Sequence, residues 1–201
     1  MTTTAAANSH TPPALITHCT ASIRGRHDGD ISVHHARTSD ARIAITFSGV
    51  LMVIYSCQAA QGLLEAFAAA GGHISTVPRE IPAPPADLPA PDTRVATSIE
   101  WTRRPRYAVV AQTGRNKLGS AQLHWIDLYT GPITWQIRDQ IALLSTIALL
   151  TQVHQTAIAV FDDGDQYAAD PTSPGYQPGP SPTPTKRPRR APRRAAARAT
   201  A

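Results

Sequence analysis

Cysteine is nearly absent: only Cys19 and Cys57 occur in 201 residues, too few for a disulfide scaffold or a four-thiolate zinc site. Aromatic residues make up 5% and charged residues 16%, so a core drawn from the 42% that is hydrophobic consists largely of Ala, Val, Ile and Leu. Catalytic and cofactor motifs are missing too. No H-E-x-x-H, C-x-x-C, G-x-S-x-G, G-x-x-x-x-G-K-[ST] or G-x-G-x-x-G run is present, which removes the recognisable metalloprotease, thiol-redox, hydrolase, P-loop and dinucleotide sites. Residues 1–23 hold no Lys or Arg, so the charged segment of a secretory leader is lacking and a cytoplasmic protein with reduced thiols is expected.

Proline, by contrast, is plentiful. Six of the eighteen prolines fall in residues 77–92 and eight between 171 and 192. The first group makes an extended connector, because neither a helix nor a central strand accepts that density. The second belongs to a segment too polar to offset its ordering entropy. The expected organisation is a disordered N-terminus at 1–15, a patterned unit at 16–76, the connector at 77–92, a second patterned unit at 93–161, and a disordered tail at 162–201. That tail is acidic first, then Pro-rich, then basic.

The two patterned units resemble each other. FSGVLMVIYSCQAAQGLLEAFAAA, from Phe47, superposes without gaps on YTGPITWQIRDQIALLSTIALLTQ, from Tyr129, at an offset of 82 residues. Each copy reads strand, tight turn, strand, helix. Ile43, Ile45 and Phe47 alternate with small or polar residues, as do Ile133, Trp135 and Ile137. Gly49 and Gly131 sit where a tight hairpin needs positive φ. Ser56 and Asp139 are placed to cap helices over Gln58–Ala70 and from Gln140 to about Thr156. A further strand precedes each hairpin, over Ile31–Ala36 and Tyr107–Gln112. The expected fold is α+β: two tandem β-β-β-α units forming one pseudo-twofold, six-stranded antiparallel sheet, with two helices packed on it.

A rival reading takes residues 43–64 and 140–161, each free of Asp, Glu, Lys and Arg over 22 positions, as membrane segments of a small membrane-associated protein. Polar residues inside both runs and the alternation at 133–138 favour the folded α+β reading.

Candidate chemistry is sparse. The eight histidines lack metal-ligand spacing, and His34 and His35 point to opposite faces of a strand. DDGDQYAAD, from Asp162, places its Gly too early for a calcium loop and reads as a solvated acidic exit from the second helix. Cys57 reads as buried and inert. Thr113–Ser120 reads as a hairpin loop rather than a phosphate loop. No catalytic, cofactor-binding or metal-binding residues are assigned.

Charge is the strongest signal. Seven of the 19 basic residues (Lys186, Arg187, Arg189, Arg190, Arg193, Arg194 and Arg198) crowd the terminus without an acid among them. The other 12 face 14 acidic residues, so residues 1–185 carry a formal −2 and the net +5 belongs to the tail. Such a tail binds nucleic acid or another polyanion by counterion release, without sequence preference. A second basic surface is expected at WTRRPRY, from Trp101, Arg103, Arg104 and Arg106. The functional expectation is a non-enzymatic, duplicated accessory module that binds nucleic acid through its tail and a protein partner through its body, with oligomerisation allowed.

Overall fold

The computed structural model describes residues 18–47, 49–82 and 97–178. The expected disordered stretch 1–15 and the basic tail from Lys186 lie outside the described residues.

Strands β2 (Asp30–His34), β3 (Arg42–Phe47) and β4 (Val50–Ile54) form an antiparallel meander that pairs Ile45 with Met52. The β3–β4 turn is closed by Gly49 at φ 78°, where a Cβ would strain the backbone. Helix α1 (Cys57–Ala70) follows, and the Ser56 side chain accepts from the Ala59 amide as its N-cap. The second half repeats this order. Strands β6 (Tyr107–Arg115), β7 (Gln122–Thr130) and β8 (Ile133–Ile137) form a meander, with Gly131 at φ 65° in the β7–β8 turn. Helix α2 (Gln140–Val160) is capped by Asp139, whose carboxylate accepts from the Ala142 amide at 2.8 Å. It runs past the expected end near Thr156 because Ala157 and Val160 are still buried against the core. Strand β2 stops before the expected Ala36, where His35 and Arg37 take positive φ and turn the chain.

The single six-stranded antiparallel sheet is not what forms. Among the described residues there are two four-stranded mixed sheets, ordered β1-β8-β7-β6 and β2-β3-β4-β5. Strands β1 (Cys19–Ile23) and β5 (Thr97–Trp101) account for the difference. Each half's first strand crosses to the other half and pairs in parallel with its last strand, Cys19 beside Ile133 and Thr97 beside Val50. The reason is edge satisfaction. β4 (VLMVI) is apolar on both faces and β8 (ITWQI) is buried at four of its five residues, so neither suits a sheet edge, where unpaired N–H and C=O groups would be left to solvent.

Helix α1 lies on β6 and β7, α2 lies on β3, and the helices pack on each other. Where the layers meet, Trp135 is fully buried, with Phe47 and Phe67 rings each 5.7 Å away. Its indole N–H donates to Thr130 Oγ1 at 3.0 Å, as a buried indole requires.

Segments after each helix return to the other helix's N-terminus. Pro78 and Arg79 carbonyls accept from the Gln140 and Ile141 amides. The Asp163 carboxylate accepts from the Cys57 and Gln58 amides at 2.9 and 3.1 Å, where free helical N–H groups and the macrodipole favour an anion. The chain does not leave the fold at Asp162, as the acidic composition suggested. It stays on α1 through Tyr167 and Tyr176 to Pro178. Residues 43–64 are β3, β4 and the start of α1 rather than one span. Among the described residues α2 is the one helix long and apolar enough to cross a membrane, and nine of its residues are buried in this core.

Candidate nucleic-acid interface

The WTRRPRY segment divides into an inside and an outside. Trp101 ends β5 and is 6% exposed, and Arg104 is 8% exposed, so neither belongs to the solvent-facing basic surface expected of them. The chain turns inward here because α1 offers a gap and a charge. A Cβ on Gly62 would lie 2.4 Å from Arg104 Cγ, so only glycine lets the arginine stem cross the helix. One turn on, Glu65 receives the guanidinium in a buried ion pair. The Tyr176 hydroxyl bridges the pair, accepting from Arg104 Nη2 and donating to Glu65 Oε2, each at 2.6 Å. Burial pushes the Tyr176 phenol up to about 12, and its hydrogen bond to Glu65 adds to this. Burial, then the Glu65 charge, likewise raises Tyr107. Glu65, Tyr107 and Pro178 border two adjoining clefts of about 420 and 330 Å³. Bound cation and anion satisfy each other here, so the cluster reads as a clamp that holds residues 171–178 on α1.

Arg103 and Arg106 remain exposed, one on each side of the buried Arg104. They stand at the root of β6, and that strand leads into an unexpected feature. β6 and β7 pair over nine residues each, whereas β8 covers only Ile126–Thr130 of β7. The pairs Gln112–Trp125, Thr113–His124, Gly114–Leu123 and Arg115–Gln122 therefore form a two-stranded ribbon beyond the sheet, about 13 Å long at 3.3 Å per residue. Trp125 braces it. The indole lies over Gly114, where a Cβ would approach the ring to 3.0 Å, donates to Asp127 Oδ1, and carries the Arg138 guanidinium 5.3 Å from its centroid.

The ribbon tip is fixed by Asn116. Its Oδ1 accepts from the Ser120 and Ala121 amides, its Nδ2 donates to Ser120 Oγ, and its backbone N–H and C=O meet Ala121 and Gly119. Gly119, at φ 69°, completes the turn. The hairpin loop is shorter than the expected Thr113–Ser120, since Thr113–Arg115 still pair with β7 and the turn is Asn116–Gly119; Arg115, Lys117 and Leu118 face solvent.

From Trp101 to Ile126 there are five basic residues and no Asp or Glu. Arg103, Arg106, Arg115 and Lys117 are exposed. Sequence reasoning took the first two and missed the last two. The signal available was this acid-free run itself, hidden by averaging over a body of formal −2.

The remaining candidates resolve into structure. Among the described residues no group of three or more His, Cys, Asp or Glu could hold a metal ion. His27 is buried edge-on against Phe47, and burial lowers its affinity for a proton against the opposing pull of Asp139 and Asp28. The Cys57 thiol is fully buried and pushed up to about 12 by burial and by Asp163, the reverse of an activated nucleophile. The tail cations Lys186, Arg187, Arg189, Arg190, Arg193, Arg194 and Arg198 lie outside the described residues. No family model, curated protein or solved structure matches this chain.

Proposed function

We propose that the chain is a non-enzymatic, internally duplicated accessory module that binds nucleic acid by charge, through the β5–β6 loop, the β6–β7 ribbon and the basic tail acting together. The observation that carries this reading is the 26-residue stretch 101–126, which holds no carboxylate and presents Arg103, Arg106, Arg115 and Lys117 to solvent. Duplication is supported by the repeated order of strand, meander, capped helix and returning segment, with Gly49 and Gly131 equivalent at the 82-residue offset. The tail belongs to the same surface by tether length. Pro178 borders a cleft with Arg104 and Arg106, and Lys186 is eight residues further on, within roughly 28 Å of it even when fully extended.

The test is binding of a mixed-sequence DNA duplex, read by fluorescence anisotropy across a salt series. Eleven cations, seven in the tail and four in the body, limit the log–log slope to about −10 at roughly −0.9 per phosphate. A chain ending at Thr185 should retain a slope no steeper than about −4, and Arg103, Arg106, Arg115 and Lys117 all changed to Ala in the full chain should leave no more than about −6. Sequence preference should be negligible, since charge and backbone contacts carry no base information. Absence of binding at low salt by the full chain refutes the reading. Unchanged affinity on truncation removes the tail from it.

A further inference from the structure

The ribbon tip displays an apolar side chain in water. Leu118 is 87% exposed, by far the most exposed large hydrophobic residue among those described. It is not there through looseness. The five hydrogen bonds of Asn116 and the positive φ of Gly119 hold the turn in which Lys117 and Leu118 are the two central residues. Immediately before Leu118 come the cations of Arg115 and Lys117, with no carboxylate nearer in sequence than Asp127. A rigid turn that presents one aliphatic side chain beside two cations suits a partner with an apolar slot bordered by anions. A base step seen from the minor groove of a duplex has that chemistry: stacked bases between two phosphate backbones. The groove is too narrow for the ribbon body but admits a turn tip, and its negative potential attracts Arg and Lys.

We infer that the β6–β7 ribbon is a duplex-bending arm. Its tip enters the minor groove, Arg115 and Lys117 contact the flanking phosphates, and Leu118 wedges into a base step and partly unstacks it. Wedges of this kind kink a duplex by roughly 20–90°, most readily at flexible pyrimidine–purine steps. The inference rests on the nucleic-acid reading above and adds to it a mode of contact and a consequence for the DNA.

The experiment measures bending separately from binding. A duplex of about 25 base pairs with a central TA step, labelled at its ends with a donor and an acceptor, is titrated with the full chain while energy transfer and anisotropy are followed together. The full chain should raise transfer efficiency at saturation. Leu118→Ala should bind within about fivefold of the parent and return the efficiency to that of free duplex. Arg115→Ala with Lys117→Ala should instead weaken binding and flatten the salt slope by about 2. Because Leu118 is exposed, its substitution leaves the core intact. Parent-like bending by Leu118→Ala refutes the wedge and leaves the charge reading standing. Failure of the full chain to bind any duplex refutes both. The same variants are tested on vesicles of anionic and neutral lipid. Leu118-dependent vesicle binding without duplex binding assigns the tip to a lipid surface and overturns the inference.

Discussion

Replacing either member of the Glu65–Arg104 pair should be among the most damaging single changes outside the aromatic core. Both side chains are almost completely withdrawn from solvent. Removing one leaves the other buried without its counter-charge, at about 3–5 kcal/mol. Removing both replaces a desolvated pair by apolar contacts and should be much milder. Arg104→Met keeps the stem that passes Gly62, and Glu65→Leu keeps comparable bulk on α1. Each single variant should therefore lose about 3 kcal/mol or more, while the double variant should lose less than about 2, a coupling energy of several kcal/mol. Tyr176→Phe removes a hydroxyl that donates to the carboxylate and accepts from the guanidinium and should lose about 1.5–3 kcal/mol, the value of a hydrogen bond to a charged group. Urea unfolding monitored by tryptophan fluorescence gives all four numbers. If the single changes lose under about 1 kcal/mol, or if their effects simply add, the two groups do not share one buried site and the clamp holding residues 171–178 is wrongly described.

Two further outcomes are expected. Gly131→Val should destabilise by more than about 1 kcal/mol. A Cβ there would meet no atom within 4 Å, so the whole loss is the backbone strain of φ 65°; urea midpoints equal to those of the parent would remove that reason for glycine. His27 should make stability depend on pH below neutrality. The unfolded imidazole takes up a proton near 6.5, whereas burial depresses the folded value, so stability is full above about pH 6.5 and falls as pH drops through the interval down to the folded value. His27→Gln should flatten that limb between pH 7 and 5 in thermal melts, and an unchanged slope would place the titration elsewhere.

The local parts of the fold are legible in the sequence because their causes are local. Alternation over Ile43–Phe47 and Ile133–Ile137 sets the inward faces, the glycines set the turns, and Ser56 and Asp139 set the helix starts. The exchange of β1 and β5 has no such signature. Cys19 pairs with Ile133 and Thr97 with Val50, and a parallel partner so far along the chain leaves no turn residue between the strands to mark it. CTASI and TSIEW do alternate, and their exposure patterns are the same. Five residues beside polar or Pro-rich segments are nevertheless too few to distinguish a strand from a loop. The one available argument was negative: β4 is apolar on both faces and cannot be an edge strand, so a three-stranded meander ending on it was incomplete.

The site was legible in charge and illegible in depth. Arg103, Arg104 and Arg106 look alike in sequence, yet the middle one is inside. What marks it out stands elsewhere in the sequence. Between Arg42 and Arg79 the chain has a single charged residue, Glu65, set in the Ala-rich stretch that becomes α1. A lone carboxylate on a helix buried nearly all round requires a cation brought from another element, since an uncompensated charge there is prohibitively costly. Gly62, three residues before it, marks where that cation's stem must pass. The ribbon was missed for the opposite reason. Gln112–Arg115 and Gln122–Trp125 lie beyond the core, so neither face needs an apolar pattern, and strand residues there look like loop. What distinguishes them is sign. A solvent-exposed hairpin in a body of formal −2 would be expected to mix charges for solubility, and this one carries cations alone. The same arginine-rich segment thus divides in two: Arg104 secures the end of the described chain against α1, and its neighbours Arg103 and Arg106 stay in solvent, as do Arg115 and Lys117 on the ribbon.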